Sequence, residues 1–284
     1  MAPIITLTTD FGFGDAYVAV MKGVILSTNP EANIIDITHS IKQQNILQAA
    51  FILNTAYRYF PRQTVHVAIV DPGVGSERQG IILKTPSALF VAPDNGILSY
   101  VIDDLCPKEG RGEGRLAQYP ESLETVTLMK GLEAVAITDP RFWRHPVSPT
   151  FHGRDIFAPV AAGLSLGISP YEFGDKTNSL HVLPIPQPIL DSRGDLTGQI
   201  LHVDSFGNLI TNIKSSDLPH RDIIIQAGRE YIRGLNRYYD EGEGLMAIIG
   251  SSGYLEISLK NGRASDFLSM TLGDEIKVIL PNDG

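Results

Sequence analysis

The sequence predicts an α/β protein in two parts: an N-terminal sheet domain covered by helices, and a smaller C-terminal domain that resembles a β-barrel. Three observations predict this division. Short apolar strands alternate with helical segments up to about residue 166, whereas from about residue 196 short strands follow one another between Gly, Asn and Asp turns. Between them, 183-LPIPQPIL-190 has a proline at every second position, which is typical of a stiff extended connector. We therefore expect domains at residues 1–182 and 191–284.

The N-terminal domain is predicted to alternate strands with helices. Asn45 is a candidate N-cap, because apolar side chains recur at helical spacing after it until Pro61 ends the pattern. A sheet built this way is largely buried, and its ligands gather at the strand ends. The predicted strands are residues 4–9, 33–37, 65–70, 80–84 and 89–92, and the predicted helices are residues 15–27, 46–60 and 155–166.

The rest of the chain is predicted to form short strands and loops. The segment 108-KEGRGEGR-115 is charged, glycine-rich and without periodicity, so it predicts a surface insertion, with a lid as the alternative. Five β-rich runs predict the strands of the C-terminal domain: residues 199–203, 222–227, 245–250, 255–259 and 275–280.

The composition excludes several classes of protein. Of the 284 residues, 43% are hydrophobic and only 19% are charged, so the chain is long and apolar enough to build a large core. The net charge of -9 repels nucleic acids and anionic membranes, so neither is an expected partner. The single cysteine, Cys106, excludes an internal disulfide and a multi-cysteine zinc site. No apolar run of about 18 residues occurs, and the N-terminus lacks the basic start of a signal peptide, so we expect a cytoplasmic protein.

The stretch 8-TTDFGFGDAY-17 has two carboxylates, Asp10 and Asp15, around a double-glycine turn where a strand meets a helix. A short acid at a strand end can accept hydrogen bonds from both hydroxyls of a ribose, and glycine lets a ligand approach the backbone. The alternative is that Asp10 caps the turn and Asp15 the helix. The glycines complete neither a dinucleotide-binding motif nor a Walker loop, so this turn does not predict a phosphate site.

The stretch 69-IVDPGVGSERQGI-81 has an acid and an arginine on the two sides of a Pro/Gly turn. Asp71 ends a buried strand and Arg78 follows seven residues later, so the turn can bring the carboxylate and the guanidinium into contact at the end of the sheet. The alternative interpretation is that this pair only braces the loop.

The stretch 150-TFHGRDIFAPVAAGL-164 has His152 just before a helix. A metal site would need an H-E-x-x-H motif or several histidines and carboxylates at ligand spacing, but the seven histidines are scattered, so no metal site is predicted. Arg154 and Asp155 are expected to form local pairs or caps at the start of the helix.

Two turns of the C-terminal domain carry polar groups. In 203-VDSFGNLITN-212, the Asn208 amide suits a purine edge and the Asp204 carboxylate suits an ammonium, although turn chemistry explains both residues equally well. In 250-GSSGYLEISLKNGRA-264, Ser251 and Ser252 lie in a glycine-flanked turn that can offer hydroxyls and N–H groups to a carboxylate.

Taken in order, these stretches resemble the S-adenosylmethionine hydroxide adenosyltransferases, which hydrolyse S-adenosylmethionine to adenosine and are related to fluorinase and chlorinase. The matching stretches span residues 4–259: TTDFG-x-x-D, DITHS, VDPGVG-x-x-R, TFHGRDIFAP, DSFGNLITN and SSGYLEI. The resemblance implies an N-terminal α/β domain and a C-terminal β-barrel-like domain. It also implies a homotrimer with sites where one subunit's first domain meets a neighbour's second.

The resemblance assigns roles position by position. Asp71, Arg78 and His152 match the water-activating triad, and Asp10 matches the acid that binds the ribose diol. The other matched positions bind the substrate: Asp15 and Asp204 near the methionine amino group, Asn208 at the adenine, Ser251 at the methionine carboxylate, Phe151 and Tyr239 along the pocket, and Ala264 through its backbone to adenine. The substrate brings its own positive leaving group, so no metal and no cofactor are expected.

Four positions depart from the halogenating relatives, which carry other residue types where this chain has Gln44, Asp71, Gly153 and Ser252. These departures argue against a halide site, so hydrolysis is the leading hypothesis. Halide transfer to the same carbon and a non-catalytic binding module for adenosine or S-adenosylmethionine are the alternatives, and a metal-dependent nucleotide hydrolase ranks last. The sequence leaves open whether Asp71 or His152 accepts the proton.

Overall fold

A computed structural model describes residues 2–105, 114, 116, 122–218 and 222–280. The chain divides into two compact units, Met1–Pro107 with Ser122–Pro184, and Lys108–Glu121 with Ile185–Gly284. Cys106 and the predicted 108–115 insertion, apart from Gly114, lie outside the described residues. Within the described residues, every helix is too short or too polar to cross a membrane.

The first unit contains a mixed seven-stranded sheet with the order β2-β1-β3-β5-β4-β7-β8. Strands β2, β1, β3 and β5 run parallel, whereas β4, β7 and β8 join as antiparallel neighbours. All five strands predicted for this unit are confirmed to within one residue at each end. The strands are β1 (Ile4–Thr9), β2 (Asn33–Thr38), β3 (Thr64–Ile69), β4 (Gly80–Lys84), β5 (Ala88–Pro93), β7 (Glu133–Ile137) and β8 (Gly174–Thr177), and a separate pair is formed by β6 (Glu124–Thr127) and β9 (Ser179–Val182).

Helices cover both faces of this sheet. Side chains that alternate along a strand point to opposite faces, and in the run after Val65 one face takes Val67 and Ile69 while the other takes Ala68 and Val70. The first face packs against α1 and α4, and the second against α2 and α3. The helices are α1 (Tyr17–Thr28), α2 (Ile46–Ala56), α3 (Ser99–Leu105) and α4 (Ala158–Ser165).

The N-terminal caps confirm the predicted start of one helix and correct that of another. The Asn45 side chain accepts a hydrogen bond from the Gln48 N–H at the start of α2, as expected of an N-cap. Helix α1 begins at Tyr17 behind Ala16, with no side-chain cap, so Asp15 does not cap it.

The helix predicted at residues 155–166 is instead a π-helical turn, Gly153–Phe157, followed by α4. A continuous helix would need Pro159 to donate an N–H to the Asp155 carbonyl, and proline has none. That carbonyl accepts a hydrogen bond of 2.8 Å from the Arg144 N–H instead. Proline therefore explains why the regular helix begins only at Ala158.

The second unit is an antiparallel sheet with the order β14-β13-β17-β11-β12-β16-β15, and β10 pairs with β11. Its inward side chains form one apolar core. The five strands predicted here are present, and the α/β and β-barrel-like fold class is confirmed. The elements are β10 (Ile189–Leu190), β11 (Leu196–Val203), β12 (Leu209–Lys214), β13 (Ile224–Ala227), β14 (Glu230–Arg233), β15 (Leu245–Ile249), β16 (Tyr254–Leu259), α5 (Ala264–Leu268) and β17 (Glu275–Ile279).

Candidate functional site

The strand order of the first unit distinguishes one position at the carboxyl ends of its parallel strands. Strand β1 lies between β2 and β3, so β2 is added on one side of β1 and the following strands on the other side. The strand order therefore reverses between β1 and β3. In open α/β sheets such a switch point forms a crevice outside the carboxyl ends of the strands, where ligands bind. Thr9 pairs with Ile69, and therefore Asp10 and Asp71 follow the two strand ends that flank this crevice.

Asp71, Arg78 and His152 lie in contact at the carboxyl end of β3. The Arg78 Nε donates to Asp71 Oδ1 at 2.9 Å and the Arg78 Nη2 donates to Asp71 Oδ2 at 2.5 Å. Arg78 Nη2 also lies 2.9 Å from His152 Nδ1. The side chains of Asp71 and Arg78 are only 6% and 12% exposed. The sequence-predicted contact between the acid and the arginine is therefore present, and the histidine joins it from 74 residues away.

The contact with Arg78 fixes the hydrogen positions on His152. A guanidinium can only donate, so Nδ1 of His152 accepts, and the neutral ring carries its hydrogen on Nε2. Burial, followed by the positive charge of Arg78, lowers the pKa of His152, which favours this neutral form. Arg78 Nη1 makes no hydrogen bond within the described residues, so it can donate to a ligand.

The loop between β3 and β4 depends on glycine at position 75. Gly75 has φ +79°, and a Cβ there would lie 2.4 Å from the carbonyl oxygen of Pro149. This close approach packs the loop that carries Asp71 and Arg78 against the segment that leads to His152. Any larger residue at this position would push the two segments apart.

Asn95 braces the same loop from the end of β5, and it is a functional residue that was not predicted from the sequence. Its Nδ2 donates to the Val70 carbonyl at 2.8 Å, and the Asp94 N–H donates to the Gln79 carbonyl at 2.9 Å. Val70 precedes Asp71 and Gln79 follows Arg78. Because β5 lies between β3 and β4 in the sheet, its turn holds both ends of the loop.

Asp10 is held by the loop that follows β2. Its Oδ2 accepts a 2.9 Å hydrogen bond from the Gln44 N–H, and Gln44 has φ +62°. The N–H of Gly12, which has φ +67°, donates to the His39 carbonyl at 2.8 Å. Oδ1 of Asp10 has no hydrogen bond within the described residues and is open to a ligand. Asp15 is exposed beyond the glycine turn.

Phe151 belongs to an aromatic group next to His152. Its ring centroid lies 5.8 Å from that of Phe11 and 5.0 Å from that of Tyr17, with edge-to-face geometry. The guanidinium carbon of Arg154 lies 5.3 Å from the centre of the Phe151 ring. A Cβ at Gly153 would lie 3.1 Å from Phe151. The group therefore leaves little room for a larger residue at position 153.

Asp155 anchors the segment that presents His152. Its carboxylate is fully buried and accepts hydrogen bonds from the Ser148 N–H at 2.8 Å and from Arg154 at 2.7 and 2.8 Å. The predicted local pair of Arg154 and Asp155 is thus present, and its role is to hold residues 148–155 together.

In the second unit, Asp204 and Asn208 bind each other and their own turn. Asp204 Oδ1 accepts from the N–H groups of Phe206 and Asn208 at 2.9 and 2.8 Å, and Oδ2 accepts from Asn208 Nδ2 at 3.0 Å. The alternative based on turn chemistry is therefore realised for Asp204. The Asn208 side-chain oxygen takes no part in these contacts and can still accept from a ligand.

Ala264 lies beside the same turn. It is fully buried at the start of α5, and the next residue, Ser265, donates its N–H to the Gly207 carbonyl at 2.9 Å. Arg263 donates to the Ser205 carbonyl at 2.8 Å. One backbone bond and one side-chain bond thus hold the neighbours of Asn208 and Ala264 together, the two residues predicted to contact adenine.

Tyr239 bonds to Glu256, a buried carboxylate that the sequence analysis missed. The Tyr239 hydroxyl donates to Glu256 Oε1 at 2.6 Å, and the Ser258 hydroxyl donates to the same oxygen at 3.0 Å. Burial, the bond to Glu256 and the nearby charge of Asp204 raise the pKa of Tyr239. A Cβ at Gly250 would lie 2.5 Å from Glu256 Oε2, and Ser251 is exposed in the turn that follows.

Within the described residues, no three His, Cys, Asp or Glu side chains are grouped in a way that could hold a metal ion.

Known proteins share this architecture. The sequence profile of the SAM hydroxide adenosyltransferase N-terminal domain, where SAM denotes S-adenosylmethionine, matches residues 5–118 and 120–174, and that of the C-terminal domain matches residues 198–277. A crystal structure of an uncharacterized conserved protein from Thermotoga maritima superposes with a TM-score of 0.82 at 33% identity, covering 97% of this chain and 100% of that one.

Curated relatives extend over most of the chain. A protein from Methanocaldococcus jannaschii named (R)-S-adenosyl-L-methionine hydrolase is 35% identical over 291 residues, which cover 97% of this chain and 95% of the relative. A fluorinase from Actinoplanes sp. is 26% identical over 242 residues, covering 76% of this chain and 73% of the relative. The profile matches, together with the identity to the hydrolase, establish that the chain belongs to the SAM hydroxide adenosyltransferase family.

Proposed function

We propose that this protein hydrolyses S-adenosylmethionine to adenosine and methionine by attack of water on the ribose C5′. The observation that carries the proposal is the contact of Asp71, Arg78 and His152 at the crevice between β1 and β3, one strand away from the carboxylate of Asp10. The name of the hydrolase from Methanocaldococcus jannaschii supports the same reaction.

In this reaction a C5′–O bond forms and the C5′–S bond breaks, and the bonding electron pair leaves with sulfur as neutral methionine. The water loses one proton. Charge is neutralised between an incipient hydroxide and a sulfonium, so bulk water would oppose the step by solvating both. A site that replaces water with a few fixed dipoles lowers this barrier.

The hydrogen bonds support a different role for each of the three residues. His152 accepts from Arg78 at Nδ1 and carries a hydrogen at Nε2, so neither nitrogen is free to take a proton. Each Asp71 oxygen accepts one hydrogen bond from Arg78 and keeps further lone pairs. The geometry therefore favours Asp71 as the proton acceptor. Arg78 Nη1 donates to the oxygen that becomes negative, and His152 holds Arg78 in place.

Asp10 is assigned to the ribose diol, because its free Oδ1 lies beside the crevice. Holding both hydroxyls fixes C5′ between water and sulfur, and such alignment can contribute several kcal/mol, up to about 7 to 11 kcal/mol. The other proposed contacts remain those that the family resemblance implies: Asp15 and Asp204 at the methionine amino group, Ser251 at its carboxylate, Asn208 and Ala264 at adenine, and Phe151 and Tyr239 along the pocket.

Halide transfer to the same carbon is the second candidate, because a fluorinase is among the relatives. The space around Gly153 supports hydrolysis instead. A serine there, as in the halogenating relatives, would bring a Cβ within 3.1 Å of Phe151 and 3.2 Å of the Met21 sulfur, so the aromatic group would have to shift. Product chromatography with and without added chloride or fluoride separates the two reactions.

A homotrimer in the cytoplasm, with sites completed by a neighbouring subunit, is also part of the proposal. It rests on the family resemblance. Light scattering coupled to size-exclusion chromatography tests it directly, since a monomer of 31.0 kDa and a trimer differ threefold in mass.

The decisive experiment is incubation with S-adenosylmethionine in ¹⁸O-labelled water. The expected result is one labelled oxygen in the 5′-hydroxyl of adenosine, with activity unchanged by a chelator. Tight binding of S-adenosylmethionine without turnover would instead favour a binding module. Loss of activity with the chelator would favour a metal-dependent hydrolase.

A further inference from the structure

One motif of the family has no role in the chemistry above. The stretch 36-DITHS-40 spans the end of β2, and it contains Asp36 and His39. His39 is completely buried, although it is a polar side chain at the end of a strand. A polar group buried this deeply requires partners, because its desolvation is otherwise uncompensated.

His39 contacts the chain on both sides of Asp10. Its Nδ1 lies 2.8 Å from the hydroxyl oxygen of Thr9, the residue before Asp10. Its backbone carbonyl accepts the N–H of Gly12, two residues after Asp10, at 2.8 Å. Thr9 in turn accepts the N–H of Phe11 on the same hydroxyl oxygen at 3.2 Å.

Asp36 and Lys22 set the orientation of this imidazole. His39 Nε2 lies 3.1 Å from Asp36 Oδ1, and Asp36 Oδ2 accepts from Lys22 at 2.6 Å. Burial opposes the charge on Asp36, but the bonds from Lys22 and His39 outweigh it and lower the pKa of Asp36. A carboxylate can only accept, so the ring tautomer that matches this contact carries its hydrogen on Nε2. Nδ1 then accepts a hydrogen bond from the Thr9 hydroxyl. The lone pairs of the same hydroxyl oxygen remain available to accept the N–H of Phe11.

We propose that His39 is a positioning residue for ribose recognition: the line Lys22–Asp36–His39–Thr9 fixes the turn on which Asp10 presents its free oxygen to the 2′- and 3′-hydroxyls. This inference rests on the assignment of Asp10 in the proposed function. Among the described residues, the Asp10 carboxylate is bonded only through Oδ2 to the Gln44 N–H, so its orientation depends on the backbone of residues 9–12.

The chain offers a matched control in the same sheet. Thr6 and His66 form an equivalent pair, with a hydroxyl-to-Nδ1 distance of 2.8 Å and complete burial of both side chains. Thr6 lies three residues before Thr9 on β1 and His66 lies opposite it on β3, away from the strand ends. Loss of either histidine removes one buried bond to a threonine hydroxyl, and His39→Leu also removes the contact with Asp36. Of the two histidines, His39 is the one that adjoins the Asp10 turn.

The experiment measures dissociation constants for adenosine and for 2′,3′-dideoxyadenosine, which lacks the diol. We expect wild type to prefer adenosine by about tenfold or more, as for hydrogen bonds to a charged acceptor. His39→Leu is expected to reduce this preference to less than about threefold, with little change in the dideoxy constant, whereas His66→Leu keeps the wild-type preference. His39→Asn, which can place an amide near the Nδ1 position, is expected to restore part of it.

Thr9→Val removes the same hydrogen bond by deleting the Thr9 hydroxyl. It replaces His39→Leu as the test variant if His39→Leu does not fold. The inference is wrong if both His39→Leu and Thr9→Val keep the wild-type preference, or if His66→Leu loses it equally. A wild type that binds both nucleosides alike would overturn the assignment of Asp10 itself, which separates failure of the proposed site from failure of this inference.

Discussion

Two carboxylates follow neighbouring parallel strands, and they are held in opposite ways. Asp71, after β3, has both oxygens bonded to Arg78, and its side chain is almost buried. Asp10, after β1, is bonded through one oxygen to a backbone N–H and is partly exposed. The same residue type at the same edge of one sheet therefore meets two different environments.

The difference suits the two carboxylates to different parts of the proposed reaction. An oxygen without a protein partner is available to a substrate hydroxyl, which suits Asp10 to binding. A carboxylate fixed by a guanidinium cannot turn toward a ligand, but it can hold that guanidinium and accept a proton at a defined place, which suits Asp71 to the chemical step. Substitutions of the two residues should therefore act on different kinetic constants.

The largest effect is expected for Asp71→Ala. Turnover should fall by about 10² to 10⁴-fold, the usual range for loss of a general acid or base, while KM changes little. Steady-state kinetics with S-adenosylmethionine measures both constants. A fall in turnover no greater than that of Asp10→Ala would mean that Asp71 only braces the loop.

Asp10→Ala should act mainly on binding. Each lost hydrogen bond to a charged acceptor costs about 1.5 to 3 kcal/mol, so KM should rise by at least about tenfold, with a smaller effect on turnover than in Asp71→Ala. The kinetics of both variants are compared under one set of conditions. Equal, modest effects of the two substitutions on both constants would contradict this division of roles.

Asn95→Ala tests whether turnover depends on the position of Asp71. It removes the hydrogen bond to the Val70 carbonyl without changing Asp71, Arg78 or His152. Turnover is expected to fall by about tenfold or more, since a shift of about 1 Å can cost a hundredfold. Thr85→Val is the control: it removes a buried hydroxyl bonded to Ala88 at the opposite end of β4 and β5. Similar turnover of the two variants would show that Asn95 has no special influence on Asp71.

The pH dependence of kcat/KM should carry a signature of His152. Its pKa lies below the ordinary value of 6.5, so the neutral ring dominates at neutral pH. As pH falls through the lowered pKa, protonation puts a hydrogen on Nδ1, breaks the contact with Arg78 and reduces kcat/KM. His152→Asn can keep an acceptor for Arg78 without titrating, and it should move the acid limb to lower pH. An unchanged acid limb would exclude His152 as its source.

The smallest effect on activity is expected from His66, which ties β1 to β3 below both carboxylates. Burial lowers its pKa to about 4 from 6.5, so between these values the unfolded chain binds more protons than the folded one. The free energy of unfolding should therefore fall by up to about 3 kcal/mol as pH drops from 6.5 to 4. His66→Leu should flatten this slope in denaturant titrations and leave turnover at neutral pH unchanged; a slope equal to that of wild type would refute the assignment.

The sequence predicted the frame of the first unit well because its strands are buried on both faces and read as continuous apolar runs between glycine and proline turns. Strands β7 and β8 were missed, and β8 is largely polar and lies at the sheet edge. The contact between Asp71 and Arg78 was predicted because both belong to one turn. Glu256 was missed because its partner Tyr239 lies 17 residues away, and local patterns do not encode such contacts.

The roles within the site required geometry. Nothing in the sequence fixes the hydrogen on Nε2 of His152, since this follows from a contact with a residue 74 positions away. Asp204 shows the reverse case. Its carboxylate suits an ammonium, but both of its oxygens also bind its own turn, as the sequence had left open.

The insertion of β5 between β3 and β4 sets a lower limit on the length of the loop that carries Asp71 and Arg78. Adjacent strands lie about 4.8 Å apart, so this loop must cross about 10 Å over the end of β5 before it can enter β4. Homologous chains should therefore tolerate deletions less readily here than in the links at the far edge of the sheet. The spacing of seven residues between Asp71 and Arg78 is therefore set by the order of the strands as well as by the chemistry of the site.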